Sequence, residues 1–154
     1  MFKVDELEIR NRLLCEDVRM EASKKLILIG VFPADIVVAE TPARVALAIY
    51  MDGQIKTPGE REFFIRYSGP GKGKVVIVAQ FTTTKENERV TMVIPRADIT
   101  FECAGIFKVE VSADEKRWKT AIEKNVIVTE NLSAAFPIAL RPPSERSLPA
   151  AQES

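Results

Sequence analysis

The sequence contains no histidine. That absence excludes a Ser-His-Asp triad, a Cys-His dyad, every histidine metal site and histidine as a pH switch. Catalysis would be left to carboxylates, Lys, Arg, Tyr or a thiol. Cysteine is scarce: Cys15 and Cys103 are the only two, with no C-x-x-C, and two thiolates do not make a structural zinc site. Each lies in an apolar, strand-like run and reads as a small buried hydrophobe, with a disulfide between them open if the protein is exported. Net charge is missing too. The 22 basic and 22 acidic residues cancel, which removes the global electrostatic case for nucleic acid or an anionic membrane. No run approaches the roughly 18 apolar residues of a membrane helix. The start, MFKVDELEIRNR, has no apolar signal core. These absences point to a cytoplasmic protein with reduced thiols, no nucleic-acid or membrane partner, and no enzymatic activity. They offer no catalytic, cofactor-binding or metal-binding residue and call for no cofactor.

What is present is apolar patterning. Apolar residues make up 46% of the 154, enough for one domain with a real core. The clearest pattern spans Ile99 to Val128. Phe107, Val109 and Val111 alternate with Lys108, Glu110 and Ser112, a polar run covers 113–117, and the chain returns through Trp118, Thr120 and Ile122 to Val126-Ile127-Val128. Period-two alternation means one buried and one wet face, and the polar run makes this a hairpin.

Upstream, LLCEDVRM (13–20) reads as strand-like and 21–25 as a turn. LILIGVF (26–32) reads as a fully buried central strand, with Gly30 marking a bulge or the close approach of another backbone. DIVVA (35–39) and RVALAIYM (44–51) follow, the latter closed by an Asp52-Gly53 turn, with a helix as the rival reading of its alanines. EFFIRY (62–67) and VVIVAQFTT (75–83) form a hairpin around SGPGKGK (68–74). Val90–Ile94 is a strand that Pro95 stops.

The count is about eight or nine short strands and no amphipathic helix. The expected fold is all-β, an immunoglobulin-like antiparallel β-sandwich. Residues 1–11 are a lead-in or edge strand, 12–130 the sandwich domain, and 131–154 a C-terminal segment expected to be disordered from about 141.

Two pieces carry a family resemblance: Leu14-Cys15-Glu16-Asp17-Val18-Arg19 and Leu28-Ile29-Gly30-Val31-Phe32. The pairing resembles an uncharacterised bacterial domain family of unknown function, whose members open with L-C-[DE]-D-x-R followed by a buried L-I-G-x-[FY] strand. The resemblance covers about residues 12 to 130. It implies an all-β, immunoglobulin-like domain in a bacterium and brings no activity.

Candidate sites are few. SGPGKGK lacks the G-x-x-x-x-G-K-[ST] pattern of a phosphate loop and joins two strands, so it reads as a hairpin tip. Glu16, Asp17 and Arg19 read as a structural ion-pair group, with a polar ligand pocket as the sharper alternative. Asp98 and Glu102 are too few for the six to eight oxygens of calcium. Tyr50, Phe63, Phe64, Tyr67, Phe107 and Trp118 form either core or a groove, and Phe107, Trp118 and one of Phe63/Phe64 are expected inside. Adjacent rings on a strand point to opposite faces, so one of Phe63 and Phe64 meets a second surface: a partner subunit, the N-terminal segment, or 134–140. The expected function is a non-catalytic protein-interaction or assembly module, acting on a protein partner or in a homo-oligomer, with a small-ligand or carbohydrate-binding sandwich as the alternative.

Overall fold

The structure is a computed structural model that describes residues 1–71 and 74–130. The C-terminal segment from 131, with its expected disorder from about 141 and the 134–140 surface offered to Phe63 or Phe64, lies outside the described residues. Those residues hold eleven strands and no helix. They are β1 (Phe2–Val4), β2 (Leu7–Cys15), β3 (Asp17–Met20), β4 (Leu26–Ile29), β5 (Ile36–Val38), β6 (Ala43–Ile55), β7 (Gly59–Ser68), β8 (Lys74–Thr83), β9 (Glu88–Phe101), β10 (Gly105–Ser112) and β11 (Lys119–Val128). The chain is all-β as expected, and eleven strands replace the eight or nine counted from the sequence.

One sheet has the order β1-β2-β6-β9, a second the order β5-β11-β10-β7-β8, and β3-β4 is a separate ribbon. The two larger sheets share one core. Leu7, Ile9, Leu47, Ile49, Met51 and Phe101 come from the first, and Phe63, Ile65, Tyr67, Phe107, Val109 and Val111 from the second. The alternation read around residue 107 is therefore the core face of β10. Its hairpin partner is β11, paired from Gly105↔Val126 to Val111↔Lys119. Not every pair is antiparallel: β5 runs parallel to β11, with Ile36 opposite Val126.

Two sequence stops prove to be interior. Asp52-Gly53 is no turn, because β6 continues to Ile55 and pairs there with Leu7 of β2. A Cβ on Gly53 would run into the Glu8 carbonyl and the Ile9 backbone. The glycine lets two backbones approach where the β2 register shifts between Ile9 and Asn11. Pro95 does not end its strand either, and β9 runs on to Phe101. A proline is tolerated because β9 is a sheet edge and its register with β6 shifts at that level, between Leu47 and Ile49.

The third correction concerns 26–32. This is not a buried central strand. Only Leu26–Ile29 is a strand, paired solely with β3, and Ile27 and Val31 are exposed. An apolar run alone does not specify burial on both faces. The two resembling pieces nevertheless meet. The Glu16 amide donates to the carbonyls of Ile29 (3.0 Å) and Gly30 (3.1 Å), and the Phe32 amide donates to Leu14 O (2.9 Å). Gly30 has φ +63° and its missing side chain leaves room for the Glu16 carboxylate arm. The ribbon is thus an excursion from β2 that returns to its starting point.

Candidate functional site

The second aromatic of the Phe63-Phe64 pair leads to the most distinctive surface. Phe63 is core, and Phe64 lies half-buried on the outer face of the five-stranded sheet. Strand alternation puts Glu60, Glu62, Arg66 and Ser68 on that same side of β7. Their neighbours are fixed by register. Phe64 stands opposite Val78 on β8 and Ser112 on β10, and Arg66 stands opposite Val76 and Glu110. Val76 is 47% and Val78 50% exposed.

Beside these apolar residues sits a stacked ion pair. Arg66 Nε donates to Glu110 Oε2 at 2.8 Å, and Ser68 Oγ donates to the same oxygen at 3.2 Å. The Arg66 guanidinium lies over the Trp118 ring, 4.1 Å from its centroid. Arg66 and Glu110 retain only 20% and 15% of their side-chain exposure. The Arg66 guanidinium holds the Glu110 carboxyl below the usual carboxylate range.

Trp118 is placed by the hairpin loop. Asp114 Oδ1 accepts from the amides of Lys116 (3.0 Å) and Arg117 (2.8 Å), and Trp118 Nε1 donates to Glu115 O at 3.0 Å. The Arg117 amide, followed by that of Lys116, pushes the Asp114 carboxyl well below its ordinary value. Trp118 was expected in the core. It lies on the outer face instead, because the β10-β11 register shifts between Val109 and Glu110, which breaks the alternation through Trp118, Thr120 and Ile122 and leaves Trp118 under Arg66. No sequence period announces that arrangement.

A second feature lies between the sheets. Tyr67, Gly69, Pro70, Val75, Ile99, Thr100, Phe101 and Phe107 surround a cavity of about 210 Å³, with Asp98 also in its wall. Tyr67 is 3% exposed and its hydroxyl has no hydrogen-bond partner among the described residues. Burial pushes its ionisation above the ordinary tyrosine range. Tyr67 meets Phe107 at a tilt of 56°, with ring centres 6.0 Å apart, and Phe107 meets Phe101 edge-on at 5.5 Å.

The other sequence candidates stay apart. Arg19 Nε pairs with Asp17 Oδ2 at 2.9 Å on the surface, as the structural reading had it. Asp98 pairs with Arg44 at 2.8 Å. Among the described residues no three His, Cys, Asp or Glu side chains gather as metal ligands. Tyr50 donates to Asp52 (2.8 Å), which also accepts from Asn11 at 3.0 Å, so this polar group is self-satisfied. Cys15 is buried and donates to Ala48 O at 3.6 Å. Cys103 does not share that burial: it is exposed at the bend between β9 and β10, where the chain passes from one sheet to the other. Neither forms a disulfide. No helix among the described residues is long and apolar enough to cross a membrane.

A model described as a family of unknown function (DUF6941) matches residues 11–124. No curated protein and no solved structure matches the chain.

Proposed function

The chain belongs to this family of unknown function, and from that premise we propose that it is an immunoglobulin-like protein-interaction module working through the outer face of its five-stranded sheet. Connectivity supports the immunoglobulin-like part. The order β2-β6-β9 corresponds to A-B-E, and β11-β10-β7-β8 to G-F-C-C′. The β3-β4 ribbon is then an insertion after the first strand. Cytoplasmic placement belongs to the same reading, since an exposed unpaired Cys103 suits a reducing compartment.

The observation that carries the interaction part is the outer face itself. Trp and Arg are, with Tyr, the side chains most enriched among residues that dominate binding energy. Here they are stacked on each other, held in place by Glu110 and the 114–117 loop, and bordered by Phe64, Val76 and Val78. A side chain already immobilised loses less freedom on binding. The opposite sheet presents Tyr50 between Leu13 and Val93, and Asp52 beside Thr91, with no guanidinium stacked on a tryptophan.

A photo-crosslinking side chain tests this. In place of Phe64 it yields protein adducts in cells, and in place of Thr91 on the other sheet it does not. Equal yields at the two positions remove the reading.

The Tyr67 cavity favours a second reading, a small apolar ligand that accepts one hydrogen bond from the buried hydroxyl. A fragment that raises the melting temperature of the protein, but not of Tyr67→Phe, supports it. A screen in which every stabilising fragment acts equally on both proteins excludes it.

A further inference from the structure

Two sheets have four lateral edges, and three of them are blunted. β1 and β5 are three residues long, and β9 carries Pro95 and a register shift. Short edges, prolines and bulges are the ordinary protections against strand addition. The fourth edge, β8, has none of them. It is ten residues long and pairs with β7 without interruption from Gly59↔Thr83 to Ser68↔Lys74. After Lys74 its sequence, VVIVAQFTT, contains no charge and no proline. No strand among the described residues pairs with its free side.

From this we infer that β8 is the interface of a two-fold homodimer, in which the β8 strands of two copies pair antiparallel about Val78 and join the sheets into one of ten strands. The inference rests on the reading of this sheet as an interaction surface and names its partner as a second copy.

Charge selects that partner. The outward row of β8 is Lys74, Val76, Val78, Gln80 and Thr82. Behind it, β7 presents Glu60 beside Thr82, Glu62 beside Gln80 and Phe64 beside Val78. The surface is thus basic at one end, acidic at the other and apolar between. Neither Lys74 nor Glu60 has an ion-pair partner among the described residues. Antiparallel pairing about Val78 sets Lys74 against Thr82 of the other copy, one strand from that copy's Glu60. Two strand spacings are about 10 Å, within the combined reach of a lysine and a glutamate side chain. The two-fold axis makes this contact twice. The apolar centres of both copies, Val76, Val78 and Phe64, become one continuous patch. A parallel arrangement would instead set Lys74 beside Lys74.

The test is the mass in solution of the full chain by sedimentation, from about 1 to 200 μM. A dimer is expected. Val78→Lys places two like charges at the axis and weakens association about tenfold or more. Val78 is half exposed, so the variant keeps its fold, which circular dichroism verifies. Lys74→Glu and Glu60→Lys each weaken the dimer, and the double exchange restores it. A monomer throughout overturns the inference, and so does a dimer indifferent to Val78→Lys. A double exchange no stronger than either single one overturns the antiparallel register. Trp118→Ala leaves the edge dimer intact while removing the anchor of the outer face. A monomer that still gives Phe64-specific adducts therefore sinks the dimer and spares the broader reading.

Discussion

Glu8 shows how much a single carboxylate is asked to hold. It is nearly buried, accepts from Lys3 Nζ at 2.8 Å, Lys56 Nζ at 3.3 Å and Gln54 Nε2 at 3.0 Å, and ties the β1 edge to β6. The Lys3 contact, with lesser help from Lys56 and Gln54 against the cost of burial, lowers its pKa to about 2. An unfolded glutamate titrates near 4.3. The folded state therefore binds this proton less readily than the unfolded one. The stabilisation is complete above the unfolded value and is lost as pH falls through about 2. Melting temperatures should fall from pH 5 to pH 2, and less steeply in Glu8→Gln; parallel curves for the two proteins would contradict this. Tyr67 makes the opposite case. A buried hydroxyl without a partner costs about 1–3 kcal/mol. Tyr67→Phe should thus melt at the same temperature or higher, with a gain of at most that size in urea titration. A loss would mean that the hydroxyl is satisfied in solution.

At the scale of the element, the ribbon β3-β4 lies outside both larger sheets, with β3 close to β6 and β9 but hydrogen-bonded to neither as a strand. It pairs only with itself, and Met20 and Ile27 are exposed. Its cross-strand amides should exchange with solvent well before those of β6, β7 and β10, whose strands are paired on both sides. Protection of the ribbon equal to that of β10 would show that it is part of the main cooperative unit. The same contrast explains what the sequence disclosed. The β10-β11 hairpin is legible because β10 alternates, with one wet face, and its turn is polar; β7-β8 is legible because two runs rich in aromatic and β-branched residues flank a glycine-rich turn. β4 carries no sequence sign of its exposure, because an unbroken apolar run looks the same in a buried strand and in an exposed ribbon. β6 and β9 were read too short, since Asp52-Gly53 and Pro95 are stops by local chemistry. Only the facing strand shows that one is a close backbone approach and the other a bulged edge. Of the outer surface, the adjacency of Phe63 and Phe64 announced an outward ring. Trp118, expected inside, is outside because of a register shift that no sequence period shows, and its partner Arg66 reaches it only through the β7-β10 pairing.

For the molecule as a whole, association and stability are coupled. If β8 joins two copies, only the folded form is captured, and mass action favours it more as concentration rises. The melting temperature should climb between about 2 and 200 μM for the natural chain and stay level for Val78→Lys. A level trace for both would argue against the dimer. Another consequence follows from the parallel pair at the other margin of that sheet. Asn125 bonds Asp35 at 2.9 Å across 90 residues of sequence, and Thr129 N donates to Val38 O. On the ribosome, synthesis runs in one direction, and β5 is made long before β11. Ile36 and Val38 must wait, unpartnered, for nearly the whole domain to be translated. The sheet gains its last margin only when Val128 has left the exit tunnel, so a nascent chain stalled earlier would present two sheets that cannot yet close.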